Sequence, residues 1–141
     1  MSLAANTTST IIPCLRYRNA PAAIAWLCDA FGFQKQAVYA DGATVHHAQL
    51  TFGNGMVMLG STDHGSEWGR QIVQPEHIDL RETQSPCVIV TDAEAHYARA
   101  KAAGALIVLE LADQEYGGRG YACKDPEGHL WWFGSYDPWI N

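Results

Sequence analysis

The sequence contains the same pattern of predicted strands, helix and turns twice, and this duplication constrains the possible folds more than any other feature. Residues 14–61 and residues 87–135 each open with an apolar strand, continue into a helix that starts after a capping residue, and end with a tight turn, an apolar strand and a Gly-Ser pair. The period is longer than those of solenoid repeats, so it is typical of a duplicated module. We therefore expect two copies of one small structural unit.

The local patterns predict the order of elements within each copy. Asn19 and Asp92 precede two predicted helices over 20–31 and 93–103, and Gly32 and Gly104 are placed to end them. Short apolar runs separated by turn residues predict three strands after each helix. The predicted class is α+β, with two tandem β-α-β-β-β modules that form a cupped mixed sheet.

The same patterns predict where one part of the chain gives way to the next. The segment between the modules is polar and rich in glycine, which favours a loop over a packed element. The first predicted strand, over residues 9–17, contains Pro13, which cannot donate to a sheet ladder. The expected organisation is a disordered N-terminal end at 1–8, a first module at 9–61, an inter-module loop at 62–85, a second module at 86–136 and a C-terminal tail at 137–141.

Composition and charge exclude several classes of partner. The chain of 141 residues carries a formal net charge of −6, which argues against nucleic acid and against anionic membrane surfaces. No apolar run is long enough to span a membrane, and no secretory signal is visible at the start. The 4 cysteines are scattered without a Cys-x-x-Cys pair, as expected for reduced thiols in the cytoplasm.

A family resemblance follows from three motifs taken in order. The two modules, the helix end at residues 30–33 (Ala-Phe-Gly-Phe) and the late segment at 125–131 (Asp-Pro-Glu-Gly-His-Leu-Trp) together resemble the vicinal-oxygen-chelate superfamily. That superfamily holds glyoxalase I, bleomycin and fosfomycin resistance proteins and extradiol dioxygenases. Residues 116–119 (Tyr-Gly-Gly-Arg) look most like its PhnB-like, largely uncharacterised glyoxalase branch.

The resemblance implies a site and allows a test for a metal ion. In such proteins two modules face each other round a cavity, and each supplies two ligands to a divalent ion that acts as a Lewis acid. The four corresponding positions here fall at about Ile12, Gln49, Ser85 and Trp132. Isoleucine and tryptophan cannot coordinate such an ion, and serine is a poor neutral ligand. We therefore expect no metal site and no cofactor.

Strand alternation selects candidate residues in the first module. His47 and Gln49 lie two positions apart, so they share one face of a strand, while His46 faces the other way. Imidazole titrates near neutral pH, which makes His47 the candidate catalytic acid or base, or otherwise a rim histidine without a role. Gln49 is a candidate ligand-binding residue, and by the same alternation Met58 is expected to line the cavity with a soft wall.

Three further ligand-binding candidates lie in the second module. Arg119 follows two glycines, where a guanidinium could clamp a carboxylate or phosphonate, or could instead pair with Glu115. Tyr121 shares the face of Arg119 and could donate its hydroxyl. Trp132 stands where metal-binding relatives have a carboxylate, and its indole could stack on a flat ligand or simply fill the core.

The predicted function is binding of a small organic molecule in a cupped cavity, by a homodimer that uses no divalent metal. The alternative from the same superfamily is a metal-dependent lyase, isomerase or dioxygenase, and an acid/base reaction through His47 is also open. A third possibility is a scaffold protein with no small-molecule role. Function read from a fold is an analogy, so the site must decide among them.

Overall fold

The computed structural model describes residues 2–140, so Met1 of the predicted N-terminal end and Asn141 of the predicted tail lie outside the described residues. Residues 2–13 form neither helix nor strand. The chain divides into two compact units, with the boundary between Gln74 and Pro75. This boundary falls inside the predicted inter-module loop at 62–85.

The first unit is a four-stranded mixed sheet with one helix. Its strands are arranged in the order β1-β4-β3-β2, with β1 parallel to β4 and the other neighbours antiparallel. The elements are β1 (Cys14–Tyr17), α1 (Ala20–Phe31), β2 (Gln34–Asp41), β3 (Thr44–Phe52) and β4 (Gly55–Ser61).

The ends of α1 follow from its flanking residues. The side chain of Asn19 accepts a hydrogen bond from the backbone N–H of Ala22, which satisfies one of the free donors of the first turn. Gly32 adopts a left-handed conformation with φ of 85°, and its N–H bonds back into the last turn. The predicted bounds of this helix are confirmed.

The first strand is shorter than the predicted 9–17. It begins at Cys14, although the carbonyl of Pro13 still accepts a hydrogen bond from the N–H of Met58, 2.9 Å away. Pro13 has no N–H with which to continue the ladder toward the N-terminus. The strand therefore begins at Cys14, the residue that directly follows Pro13.

The second unit repeats the first. Its strands are arranged in the order β5-β8-β7-β6, and β5 is parallel to β8, as β1 is to β4 in the first unit. Its elements are β5 (Cys87–Ile89), α2 (Ala93–Ala102), β6 (Leu106–Asp113), β7 (Arg119–Lys124) and β8 (Leu130–Gly134). The predicted α+β class with two tandem β-α-β-β-β modules is confirmed.

Each helix packs on one face of its own sheet. In the first unit, Leu27 and Phe31 of α1 and Ala48 and Leu50 of β3 are completely buried. In the second unit, the core includes Phe133, whose ring contacts that of His96 of α2 with centroids 4.2 Å apart and planes tilted by 34°. We call the other face of each sheet, which its own helix does not cover, the helix-free face.

The polar segment between β4 and β5 is ordered by its own hydrogen bonds. Asp63 accepts bonds from the N–H groups of Gly65 and Ser66, and short 3-10 helices span Gly69–Gln71 and Pro75–His77. Gln74 is buried and donates to the carbonyl oxygen of Arg16 at 2.8 Å. None of the helices within residues 2–140 has the length and apolar character needed to cross a membrane.

Candidate functional site

Three side chains form a row across the helix-free face of the first sheet. In the strand register, Cys14 of β1 lies beside Met58 of β4, and Met58 lies beside Gln49 of β3. His47 lies two residues from Gln49 on the same strand face, opposite Tyr39 of β2. His47, Gln49 and Met58, all selected from the sequence, are therefore neighbours, and each is half-buried.

A chain of hydrogen bonds links the polar members of this row. The Nε2 atom of His47 lies 2.8 Å from Oε1 of Gln49. The Nε2 atom of Gln49 donates in turn to Oε1 of Gln36. The ring of Tyr39, which is 61% exposed, stacks beside the imidazole of His47 with centroids 6.2 Å apart and planes 25° apart.

Gln36 and Tyr39 were not predicted as site residues. Gln36 joins the row because a β-bulge breaks the pairing of β2 with β3 between Lys35 and Ala37, which leaves Gln36 as the extra residue. A second irregularity between Tyr39 and Ala40 makes His46 the extra residue on β3, and His46 is exposed. Alternation alone does not reveal where a bulge interrupts a ladder, so no signal in the sequence identified Gln36.

Arg16 also reaches this face. Its Nη1 atom donates to the carbonyl oxygen of Ser61 at 3.1 Å. The same atom would lie 2.7 Å from a Cβ placed on Gly60, so the guanidinium occupies the space that a side chain at position 60 would need. This close approach explains a glycine near the end of this apolar strand.

The helix-free face of the second sheet is dominated by Trp132. In the register, Trp132 lies between Cys87 of β5 and Ala122 of β7, which is the position that Met58 has in the first sheet. A Cβ on Gly120 would collide with the indole ring, so the absence of a side chain there makes room for it. Trp132 is half-buried, whereas Trp131 on the opposite face is fully buried.

Arg119 does not lie where it was expected. Its guanidinium pairs with Glu94 of α2, and its Nε atom lies 2.9 Å from Oδ1 of Asp113. Both partners are carboxylates, so the positive charge is already balanced on the helix side of the sheet. The predicted pairing with Glu115 is replaced by these two, because β7 starts beside α2 and the end of β6.

Tyr121 also lies on the helix-covered face, so its contacts lend no support to its predicted role in ligand binding. It is fully buried, its hydroxyl lies 2.6 Å from Nδ1 of His96, and its ring stacks on Phe133 at 5.5 Å. Burial raises the pKa of this phenol well above its ordinary value. The two residues of the pair at 119 and 121 do share one face, as alternation predicts, but it is the face that α2 covers.

The Asp-Pro-Glu-Gly turn is held by the side chain of Asp125. Its Oδ1 atom accepts hydrogen bonds from the N–H groups of Glu127 and His129 at 3.1 and 3.0 Å. Its Oδ2 atom accepts a third bond from Nε1 of Trp131 at 3.1 Å. His129 is buried, and its Nδ1 atom lies 3.0 Å from Oε2 of Glu82.

The residues present do not fit the divalent-ion site that the resemblance implies. Ile12 and Trp132 offer no oxygen, nitrogen or sulfur lone pair suited to such an ion, and Ser85 is a weak neutral ligand. The amide oxygen of Gln49 already faces His47. Among residues 2–140, no three or more His, Cys, Asp or Glu side chains are grouped as a metal site would require.

The fold and the two helix-free faces can now be compared with known proteins. The sequence model of the glyoxalase/bleomycin resistance protein/dioxygenase superfamily matches residues 10–133. The chain belongs to this superfamily. The match spans nearly all of both modules. Members of this superfamily bind small molecules and often form dimers.

Solved structures of similar fold cover nearly the whole chain. TioX from Micromonospora sp. ML1 is 33% identical, with a TM-score of 0.72, over 89% of this chain and 97% of that one. The fosfomycin resistance protein FosX from Mesorhizobium loti is 14% identical, with a TM-score of 0.63, over 94% and 95%. At that identity, FosX supports the fold alone. No protein with a curated description matches the chain significantly.

Proposed function

We propose that the protein binds a small, flat organic molecule against the helix-free face of a sheet and holds it without chemical conversion. The observation that carries this proposal is the hydrogen-bonded row of His47, Gln49 and Gln36 next to Met58 and Tyr39. Ligand sites combine apolar and aromatic walls with a few placed polar groups, and this face supplies both.

Each side chain of the row has a role that follows from its chemistry. His47 and Gln49 orient the polar edge of the ligand, and Met58 supplies an adaptable apolar contact. On the second sheet, Trp132 presents an aromatic ring that can stack on a flat molecule. The guanidinium of Arg119 forms ion pairs with Glu94 and Asp113, so we do not assign it a contact with the ligand.

We further propose that binding requires no divalent ion. A mutant of FosX from Listeria monocytogenes was solved with Mn(II) and a dihydroxypropylphosphonic acid; it is 14% identical to this chain, with a TM-score of 0.65 over 92% and 91% of the two chains. This chain lacks suitable donors at Ile12, Ser85 and Trp132, the positions that correspond by resemblance. His47 acts in this proposal as a hydrogen-bonding anchor rather than as a catalyst.

Ligand binding in the presence of EDTA tests this proposal. Thermal unfolding and titration calorimetry would be run against planar aromatics, aromatic carboxylates and phosphonates. A ligand at 100 times its Kd stabilises the folded state by about 2.7 kcal/mol, or roughly 8 °C in Tm. We expect this shift with the wild-type protein, a reduced shift with Gln49→Ala, and an unchanged shift with His46→Ala, a matched variant of the exposed neighbour.

Two results would overturn the proposal. Binding that appears only after Mn²⁺, Ni²⁺ or Zn²⁺ is added would favour the metal-dependent lyase, isomerase or dioxygenase. Conversion of a bound compound by the protein without a metal, lost in His47→Ala, would return His47 to a catalytic role. Both are read from the same samples by metal analysis and by chromatography of the small molecules.

The proposed setting of this binding protein is the cytoplasm. All four cysteines are free thiols, and Cys14 and Cys87 are exposed. Exposed thiols persist in a reducing compartment, which supports the proposal. The assignment to the PhnB-like branch, based on residues 116–119, also remains a proposal.

A further inference from the structure

The hydrogen-bond chain on the first helix-free face determines which nitrogen of His47 carries a proton. Nε2 of His47 faces the amide oxygen of Gln49 at 2.8 Å. An amide oxygen only accepts hydrogen bonds, so Nε2 must be the donor. In a neutral imidazole the other nitrogen, Nδ1, is then an acceptor.

The direction of the chain is carried onward by Gln36. The amide nitrogen of Gln49 donates to the amide oxygen of Gln36. The amide oxygen and the amide nitrogen of Gln49 are therefore both engaged in hydrogen bonds. Every bond in the row therefore points the same way, from His47 through Gln49 to Gln36. Within residues 2–140, Nδ1 of His47 has no hydrogen-bond partner. The row leaves an acceptor at its His47 end.

We propose that Nδ1 of His47 accepts a hydrogen bond from the ring N–H of a neutral, planar ligand of the lactam class. This inference rests on the proposed function and names the ligand chemistry of the same site. The ring of such a ligand would lie against the exposed ring of Tyr39, which stacks beside the imidazole. A carboxylate edge is disfavoured because its lone pairs would face the lone pair of Nδ1.

A matched pair of probes isolates this single hydrogen bond. Isoindolin-1-one is a flat lactam with an N–H, and 2-methylisoindolin-1-one is the same ring with that hydrogen replaced by a methyl group. Isoquinoline is a flat bicycle that can only accept. We expect isoindolin-1-one to bind the wild-type protein about tenfold more tightly than either of the others, measured by titration calorimetry.

Two substitutions of His47 separate the roles of its nitrogens. His47→Asn places an amide oxygen near the Nδ1 position, and we expect it to keep most of the preference for the lactam. His47→Gln places its amide near the Nε2 position, and we expect the two lactams to bind it equally. A merely structural histidine would weaken both probes alike in both variants, and His46→Ala should change nothing.

The outcomes distinguish this inference from the proposed function. Preferred binding of isoquinoline would show that the chain points the opposite way, and would overturn the lactam assignment while leaving a binding site. Equal binding of all three probes to the wild-type protein would do the same. If neither these probes nor the wider panel bind at all, the proposed function and this inference both fail.

Discussion

At the scale of single residues, Asp125 shows how one buried carboxylate can organise a turn. Its two oxygens accept three hydrogen bonds, from two backbone N–H groups and the indole of Trp131. The residue is only 4% exposed, so water cannot replace these bonds if the carboxylate is removed.

Asp125→Ala should therefore lower the free energy of unfolding by about 2–3 kcal/mol. Asp125→Asn should also destabilise, because its amide N–H₂ is only a donor and would face at least one N–H group that a carboxylate oxygen now accepts from. Urea unfolding measures both, with Asp41→Ala at an exposed position as the control. An effect of Asp125→Ala no larger than that of the control would contradict the structural role assigned to this turn.

A second residue-scale prediction concerns the support of Trp132. A Cβ at Gly120 would occupy space that the indole fills, so Gly120→Ala must displace the ring. We expect an altered near-ultraviolet circular dichroism spectrum and an affinity for flat aromatics reduced roughly threefold to tenfold. Gly65→Ala, where a Cβ meets nothing closer than 3.6 Å, is the control. In a protein that already carries Trp132→Phe, adding Gly120→Ala should leave the near-ultraviolet spectrum unchanged.

At the scale of elements, the packing of each helix decides which strand face is available. Arg119 and Tyr121 share a face, as their spacing predicts, but α2 covers that face and engages both through Glu94 and His96. The alternation of residues along β7 would be the same if α2 packed on the other face of the sheet, so it cannot show which face is covered. The placement of these two residues against α2 therefore comes from packing between elements and not from the pattern of the strand itself.

The same packing predicts loss of stability at alkaline pH. Cys123 is buried between the second sheet and α2, and burial, with a smaller contribution from Asp125, raises its thiol pKa to about 12 from 9.0. Above pH 9 the unfolded chain releases this proton while the folded chain keeps it. Stability is thus fully present below pH 9 and falls as pH rises toward 12, by up to about 1.4 kcal/mol per pH unit.

Urea unfolding between pH 8 and 11 measures this slope. Cys123→Ala removes the titrating thiol, so its unfolding free energy should depend less steeply on pH than that of the wild-type protein. Cys14→Ala, at an exposed position, provides the matched comparison. Identical slopes for all three proteins would show that Cys123 makes no contribution to the loss.

At the scale of the whole molecule, the predicted homodimer remains to be tested. Strand β6 lies at the edge of the second sheet and exposes three apolar side chains: Leu106, Val108 and Leu109 are 62, 46 and 56% exposed. An apolar edge strand offers both unpaired backbone groups and hydrophobic area to a second copy.

We predict a mass in solution of twice the 15.5 kDa of one chain. Light scattering coupled to size exclusion measures it directly. Leu106→Lys combined with Val108→Lys should shift the protein to monomer, whereas Val73→Lys, at an exposed position in the polar segment, should not. A monomeric wild-type protein would refute the dimer, and a dimer that survives the double substitution would place its interface elsewhere.

The sequence alone determined the duplicated α+β plan and the helix caps at Asn19 and Asp92. These features depend on residues a few positions apart, so local hydrogen bonding and alternation are enough to predict them. The grouping of His47, Gln49 and Met58 followed from the same alternation, because strands joined by short turns have nearly fixed registers.

Only the tertiary structure decided which face of each sheet its helix covers, and hence that Arg119 and Tyr121 are committed to α2. It also decided that Gln36 joins His47 and Gln49, since a β-bulge shifts the register by one residue. The physical reason is the same in both cases. Alternation tells which side chains share a face, whereas the side that a helix covers and the place where a ladder slips depend on contacts between distant parts of the chain.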